Sequence, residues 1–208
     1  NGKVQQSASG VLTRDNMFGS LLDDASRRDL SINALYYDTE KNTLHDFCDG
    51  LEDLAKRKIR IIGNPATRYS EDPARLLRAV RFAAKLGFHI DSKSLKPITK
   101  MADSLQHVSA PRMFDETLKL FMSGYGLAVF QLLYEYRLFA QLAPQTNRLI
   151  DQGHPTAKNM VEQALTNTDL RIRSNKRVTP AFIYAALLWP SVQKTAAEYE
   201  RQGHPAAS

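Results

Sequence analysis

Cysteine is almost absent from this sequence: Cys48 is the only one in 208 residues. A single thiol excludes an internal disulfide and any cysteine-rich zinc site, and such sparing use suits a reducing compartment and hence a cytoplasmic location. The five histidines are scattered and show no metal-ligand spacing. No apolar run approaches the length of a membrane helix, and the first residues lack the pattern of a signal peptide. Internal repeats and low-complexity tracts are also missing. The first residue is Asn1 rather than Met, so the chain is expected to be a piece of something longer.

What is present is enough for an ordered domain. Hydrophobic residues make up 43% of the chain and charged residues 24%, a balance that builds a core rather than a disordered tract. The formal net charge is +6, and it is concentrated. From Lys56 to Lys85 the basic residues are Lys56, Arg57, Lys58, Arg60, Arg68, Arg75, Arg78, Arg81 and Lys85, against only Glu71 and Asp72, so the remainder is about neutral. A basic segment of this kind fits a polyanion partner. A solvated helix face gives the same count, and the count alone leaves both open.

Hydrophobic patterning divides the chain in two. The opening "NGKVQQSASG" is small and polar, a flexible lead-in, and a short helix is expected around Gly19 to Ser26. "SINALYYD" alternates like a strand, with Ile32, Ala34 and Tyr36 on one side. "KNT" makes a turn, "LHDFCD" returns as an antiparallel partner, "DGLEDLAKRK" reads as a short capped helix and "IRII" as one more strand. From Tyr69 onward no strand is expected. "EDPARLLRAVRFAAKLGF" has Leu76, Val80, Ala83 and Ala84 on one helical face, with Pro73 at its start and Gly87 at its stop. "DSKSLKPITKMADSL" reads as a second helix, and "SAPRMFDETLKLFMSG" as a third, capped by Ser109 and stopped at Gly124. "LAVFQLLYEYRLFAQL" reads as a fourth, ending near Pro144. Two further helices are expected, at about Ala157 to Thr168 and Pro180 to Trp189.

Two segments carry chemistry. In "RRDLSINALYY" the basic and acidic residues Arg27, Arg28 and Asp29 sit directly before an alternating run, as in a loop facing phosphate at a sheet edge. In "EDPARLLRAVRF" the guanidinium groups of Arg75, Arg78 and Arg81 are spaced by three and drift by roughly 60° per step, a slanting stripe that Lys85 extends. Guanidinium forks match phosphate oxygens in two-point contacts. Snorkelling and surface ion pairs are the plain alternative. Asp72, just before Pro73, is also placed to cap a helix. Clustered carboxylates for metal ions are not evident. Asp23 and Asp24 are adjacent on an expected helix and diverge, and Asp46 and Asp49 stand three apart near a turn.

The ordered series "RRDLSINALYYD", "DGLEDL" and "IRIIGNPATRYSEDPARLLRAVRFAAKLGF" resembles the bacterial nucleotidyltransferase family of poly(A) polymerases and tRNA CCA-adding enzymes, over about Arg14 to Leu142. Arg14-Asp15-Asn16 and Phe18-Gly19-Ser20 resemble the poly(A) branch. The resemblance implies an α+β, mostly α fold: a C-terminal remnant of the catalytic head sheet (residues 1–62), a helical neck for nucleotide and RNA binding (63–125), and part of a helical body (126–208). It implies that Arg27, Arg28 and Asp29 hold the sugar and triphosphate of ATP. Glu71, Asp72 and Arg75 would read the base, with Glu71 orienting Arg75. Arg78 would continue toward phosphate, and Arg68, Arg81 and Lys85 would face the RNA 3′ end. The family's metal carboxylates lie N-terminal to the Arg-Arg-Asp motif, so the Mg2+ ligands are expected outside this chain, leaving no catalytic or metal-binding residue in it. The implied activity of the longer protein is addition of AMP from ATP to RNA 3′ ends, in RNA processing and decay, and this piece alone is expected to be inactive. A CCA-adding enzyme and a non-catalytic RNA-binding helical module are the alternatives.

Overall fold

The computed structural model describes residues 20–203. The opening stretch, Arg14-Asp15-Asn16 and Phe18-Gly19 therefore lie outside the described residues. Helix α1 (Leu21–Arg27) starts at a reciprocal cap, in which Ser20 Oγ accepts from the Asp23 amide and Asp23 Oδ2 accepts from the Ser20 amide at 2.9 Å. The chain then enters a 3-10 turn (Ser31–Asn33), strand β1 (Leu35–Asp38), strand β2 (Thr43–Asp46) and helix α2 (Gly50–Ala55). The two strands pair antiparallel from Leu35 opposite Asp46 to Asp38 opposite Thr43.

The expected strand over "SINALYYD" is thus only half formed. Ser31 is buried, and its hydroxyl donates to Asp53 Oδ2 at 2.5 Å while its amide donates to the Arg60 carbonyl at 3.1 Å. Those bonds pull the first half into a turn, and the ladder begins at Leu35. The start of α2 is held from outside its own cap position. Asp49 makes no side-chain cap bond. Asp46 instead accepts from the amides of Cys48, Gly50 and Leu51 at 3.1, 2.9 and 2.9 Å. Burial alone pushes the Asp46 carboxyl up, but these three donors outweigh it and hold it below the usual range.

Of "IRII", Ile59 lies in a strand and Ile61 in an isolated bridge. Strand β3 (Lys58–Ile59) runs parallel to β4 (His89–Ile90), and Leu30 bridges Ile61. The strand β4 corrects the expectation that none follows Tyr69. It is two residues long, docked by the Arg57 and Ile59 carbonyls, which accept from the His89 and Asp91 amides at 3.1 and 2.8 Å. Between the two strands lie α3 (Pro65–Glu71) and α4 (Ala74–Leu86), broken at Pro73, which cannot continue α3. Gly87, at φ +64°, ends α4 as expected.

The remainder is helical: α5 (Ser92–Leu95), a 3-10 helix (Thr99–His107), α6 (Ala110–Phe121), α7 (Gly126–Glu135), α8 (Phe139–Leu142), α9 (Pro144–Asp151), α10 (Ala157–Arg173) and α11 (Pro180–Arg201). The expected second helix is divided at Pro97. The expected fourth is divided at Arg137, held at φ +65°. Pro144 starts α9 rather than only ending what precedes it, because its fixed φ and missing N–H fit a first turn. Helix α11 continues through Pro190. The hydroxyls of Thr146 and Ser191 donate to the Leu187 and Leu188 carbonyls beside that proline, both at 2.7 Å.

One apolar cluster joins the two parts, from Leu30, Ile59 and Ile61 through Leu76, Leu77 and Val80 of α4 to Phe121, Phe130, Phe139 and Leu187. Phe130 meets Phe139 edge-on at 4.8 Å. Each such ring, fully buried, contributes about 2–3 kcal/mol. Asp169 of α10, 5% exposed, accepts from the first amides of α7, Gly126 at 2.7 Å and Leu127 at 3.0 Å. The core is therefore continuous from the strand remnant to the last helix, and the Arg27–Asp29 turn is carried on its rim.

Candidate nucleotide site

The turn after α1 is fixed from both sides. Asp29's carbonyl accepts from the Ile62 amide at 3.0 Å, which lays residues 29–31 against 60–62. Arg68 of α3 then donates from Nη2 to the carbonyls of Arg27 and Arg28, at 2.8 and 2.9 Å. Its Nη1 lies 3.2 Å from Glu71 Oε2. Arg68, expected to face RNA, is thus a staple between the turn and α3, with its side chain 16% exposed.

Asp29 is the centre of the site. Its Oδ1 accepts from Arg75 Nε at 2.6 Å and its Oδ2 from Arg78 Nη1. Burial alone pushes the Asp29 carboxyl up, yet the bonds from Arg75 and Arg78 outweigh it and hold it below the ordinary range. The Arg78 guanidinium is likewise disfavoured by burial and stabilised on balance by Asp29, with its pKa raised. Arg75 Nη1 also donates to Glu71 Oε2 at 3.2 Å and to the Arg68 carbonyl at 2.7 Å, so Glu71 does orient Arg75. Arg75 Nη2 is the donor left without a hydrogen-bond partner among the described residues.

Asp72 uses its two oxygens differently. Oδ1 accepts from the Ala74 amide at 3.1 Å, a cap on α4. Oδ2 takes Arg112 Nη2 at 2.6 Å and lies 3.8 Å from Arg78 Nη1. Glu116, buried, stands 3.6 Å from Arg78 and 3.2 Å from Lys119. Arg112 and Glu116 are residues the sequence reading missed. They are four apart on α6 and so share a face, a spacing that marks a charged edge without revealing what it touches.

The other candidates stay apart from Asp29. Arg27 is exposed, and among the described residues its side chain makes one hydrogen bond, donated from Nε to the Asp23 carbonyl at 3.2 Å. Arg28 pairs with Asp24 and lies over Tyr36, whose hydroxyl donates to the same Asp24 oxygen at 2.6 Å. Arg81 stacks on Phe82 with its guanidinium carbon 4.8 Å from the ring centre. Lys85 is exposed without an ion pair among the described residues.

The basic segment is therefore largely neutralised in place. Lys56 pairs with Glu52, Lys58 and Arg60 with Asp53, Arg68 with Glu71, and Arg75 and Arg78 with Asp29. Asp53 is 1% exposed. Burial pushes its carboxyl up, but Lys58, Ser31 and Arg60 together hold it low. Arg57, Arg81 and Lys85 carry the segment's unpaired charge among the described residues.

The architecture is the α+β, mostly α fold of a nucleotidyltransferase, and comparison with known proteins narrows it. Residues 2–60 match the model of the poly A polymerase head domain, and residues 87–150 that of the probable RNA and SrmB-binding site of polymerase A. Poly(A) polymerase I of Escherichia coli O6:H1 is 47% identical over 193 residues, which is 92% of this chain and 42% of that protein. The CCA-adding enzyme of Limosilactobacillus reuteri is 46% identical over 103 residues, covering 50% of this chain and 25% of that enzyme. Among solved structures, the Bacillus stearothermophilus CCA-adding enzyme in complex with CTP superposes with a TM-score of 0.56 at 33% identity, over 72% of this chain and 34% of that one. The chain belongs to the nucleotidyltransferase family that comprises the bacterial poly(A) polymerases and CCA-adding enzymes. It spans less than half the length of the curated relatives it matches.

Proposed function

We propose that this chain is part of a poly(A) polymerase, which joins AMP from ATP to the 3′ hydroxyl of RNA and releases pyrophosphate. The observation that carries the reading is the extent of similarity. Identity of 47% with Poly(A) polymerase I runs along 92% of the chain, whereas the similar identity with the Limosilactobacillus CCA-adding enzyme covers 50% of it. A role in RNA polyadenylation and a cytoplasmic location go with this reading.

In it, the side chains divide the work as their contacts allow. Arg27 is exposed, without an ion pair among the described residues, and meets the triphosphate by charge-assisted hydrogen bonds. Arg28 is braced by Asp24 and Tyr36 and supports the same face. Asp29 has both oxygens engaged, so it sets the positions of Arg75 and Arg78 rather than gripping the sugar alone. Arg75 Nη2 is free to donate to a base ring nitrogen. Asp72 Oδ2 retains a second lone pair beside Arg112, which accepts the exocyclic amine of adenine. Arg81 and Lys85, unpaired on α4, face the RNA.

Phosphoryl transfer of this kind employs divalent ions, magnesium in our reading, to activate the attacking hydroxyl and steady the leaving group. The described residues do not fit that role. Asp23 is turned to Ser20, Asp24 to Arg28 and Tyr36, and no group of three or more His, Cys, Asp or Glu assembles among them.

The test is incorporation by the full-length protein on a single-stranded RNA, with ATP and with CTP. Serial addition of AMP and poor use of CTP is the expected result. Ordered addition of C, C and A to a tRNA end would establish the CCA-adding reading. RNA binding without any nucleotide binding would leave a helical RNA-binding module.

A further inference from the structure

The free positive charge of this molecule is not confined to the segment where the sequence concentrates it. Arg171, Arg173, Lys176 and Arg177 form the end of α10 and the loop that follows, and all four are exposed. None of them makes an ion pair among the described residues. No Asp or Glu occurs from Leu170 through Ala197. The acid closest in sequence is Asp169, four residues before Arg173 on the same helix, and both of its oxygens are committed to the amides of Gly126 and Leu127.

The arginines are held, but by carbonyls rather than carboxylates. Arg173 donates from Nε and Nη2 to the Gly124 carbonyl at 2.9 and 2.7 Å, and Arg171 donates from Nη2 to the Arg177 carbonyl at 3.1 Å. A carbonyl orients a guanidinium without cancelling its charge. The loop is thus fixed in shape and keeps its positive charges. Beside it, between α7 and α10, runs a groove of about 190 Å³ lined in part by Tyr125, Gln131, Thr166 and Arg173, and by Asp169, whose two oxygens are taken by the Gly126 and Leu127 amides. Arg173 lies over the Tyr125 ring at 5.5 Å, so an aromatic face, two polar side chains and an unneutralised cation meet at one opening.

Unneutralised cations next to an aromatic ring suit single-stranded nucleic acid: phosphates meet the charges and a base stacks. We infer that residues 171–177 and the adjoining groove bind the ribose-phosphate chain of single-stranded RNA, as a second contact surface separate from the Asp29 centre. The inference rests on the reading of the protein as an RNA-modifying enzyme.

The test uses the full-length protein and a fluorescein-labelled oligoadenylate, with affinity measured by anisotropy across a salt series. Each phosphate contact on a single strand contributes about 0.7 to the slope of log affinity against log salt. Arg171→Gln, Lys176→Gln and Arg177→Gln together should lower the slope by about 2 and weaken binding at least tenfold at moderate salt. Arg171→Lys with Arg177→Lys should keep the slope, and the melting temperature and the rate at saturating RNA should stay unchanged in both. A triple-Gln variant with wild-type slope and affinity overturns the loop assignment alone. Absence of RNA binding by the unaltered protein overturns the functional reading, and this inference with it.

Discussion

Asp29 and Arg75, 46 positions apart in the sequence, meet at 2.6 Å, and Arg78 closes on the other oxygen of the same carboxylate. The Arg-Arg-Asp turn and helix α4 are therefore one electrostatic unit. Arg68 and the Ile62 amide hold the backbone of the turn, and Arg75 and Arg78 hold its carboxylate.

Replacing Asp29 by Asn tests that unit. It leaves two partly buried guanidinium groups short of a counter-charge. A fully buried pair that loses one partner costs about 3–5 kcal/mol. Asp29 is 20% exposed, so a smaller loss, about 2 kcal/mol, is expected by chemical denaturation. The loss should depend on pH with a definite sign. The folded carboxyl titrates below its unfolded value of about 3.9, so its stabilisation is fully present above that value and lost as pH falls through the folded pKa. The gap between wild type and Asp29→Asn should be constant from about pH 5 to 7 and close in more acid solution. A gap that widened in acid would contradict the pairing.

Asp72 separates capping from base reading. An Asn carbonyl can still accept from the Ala74 amide, so Asp72→Asn should change stability by less than about 1 kcal/mol. Asp72→Ala should cost about 1–2 kcal/mol for the lost cap. Under the proposed function, Asp72→Asn also reduces the preference for ATP over CTP by roughly tenfold or more. Arg112→Ala should reduce it too, because Arg112 fixes the reading oxygen. A wild-type nucleotide ratio in both variants would leave Asp72 as a cap only.

Two glycines should respond to alanine in contrasting ways. A Cβ on Gly50 would lie 2.4 Å from the Ser31 carbonyl oxygen, so the backbone must move, and a loss of about 3 kcal/mol is expected. At Gly87 nothing lies within 4 Å, and only the left-handed conformation is penalised, at about 1 kcal/mol. Thermal or urea melts of the two variants would check the order. Equal losses would mean the Gly50 contact relaxes without cost.

The legible parts of this fold are those with local causes. Helix α4 announces itself through Pro73, Gly87 and an apolar stripe that is in fact buried at Leu76, Val80 and Ala83. The strand His89–Ile90 could not be read, because two residues carry no period and the pairing is supplied by Arg57 and Ile59 some thirty positions away. The break at Arg137 has no glycine to mark it. In the candidate site, the family resemblance named Asp29, Glu71, Asp72 and Arg75, and ion pairs through Arg75 and Arg78 link the four side chains. The resemblance could not show that Arg68 faces backbone carbonyls, or that most of the basic segment is already paired, since neutralisation is a property of three-dimensional neighbours. The same limit hid Arg112 and Glu116.

The carboxylate of Asp169 has a consequence for how quickly the core trades hydrogen with water. Amides in the first turn of a helix ordinarily have no partner and exchange readily. Those of Gly126 and Leu127 are held by a side chain of a different helix. Their protons can be replaced only when α7 and α10 part, an opening that breaches the contacts of Val129, Val161 and Leu165 in the shared core. In deuterated water these two amides should therefore be retained as long as interior amides of α10, although they begin a helix. Asp169→Ala should release them early.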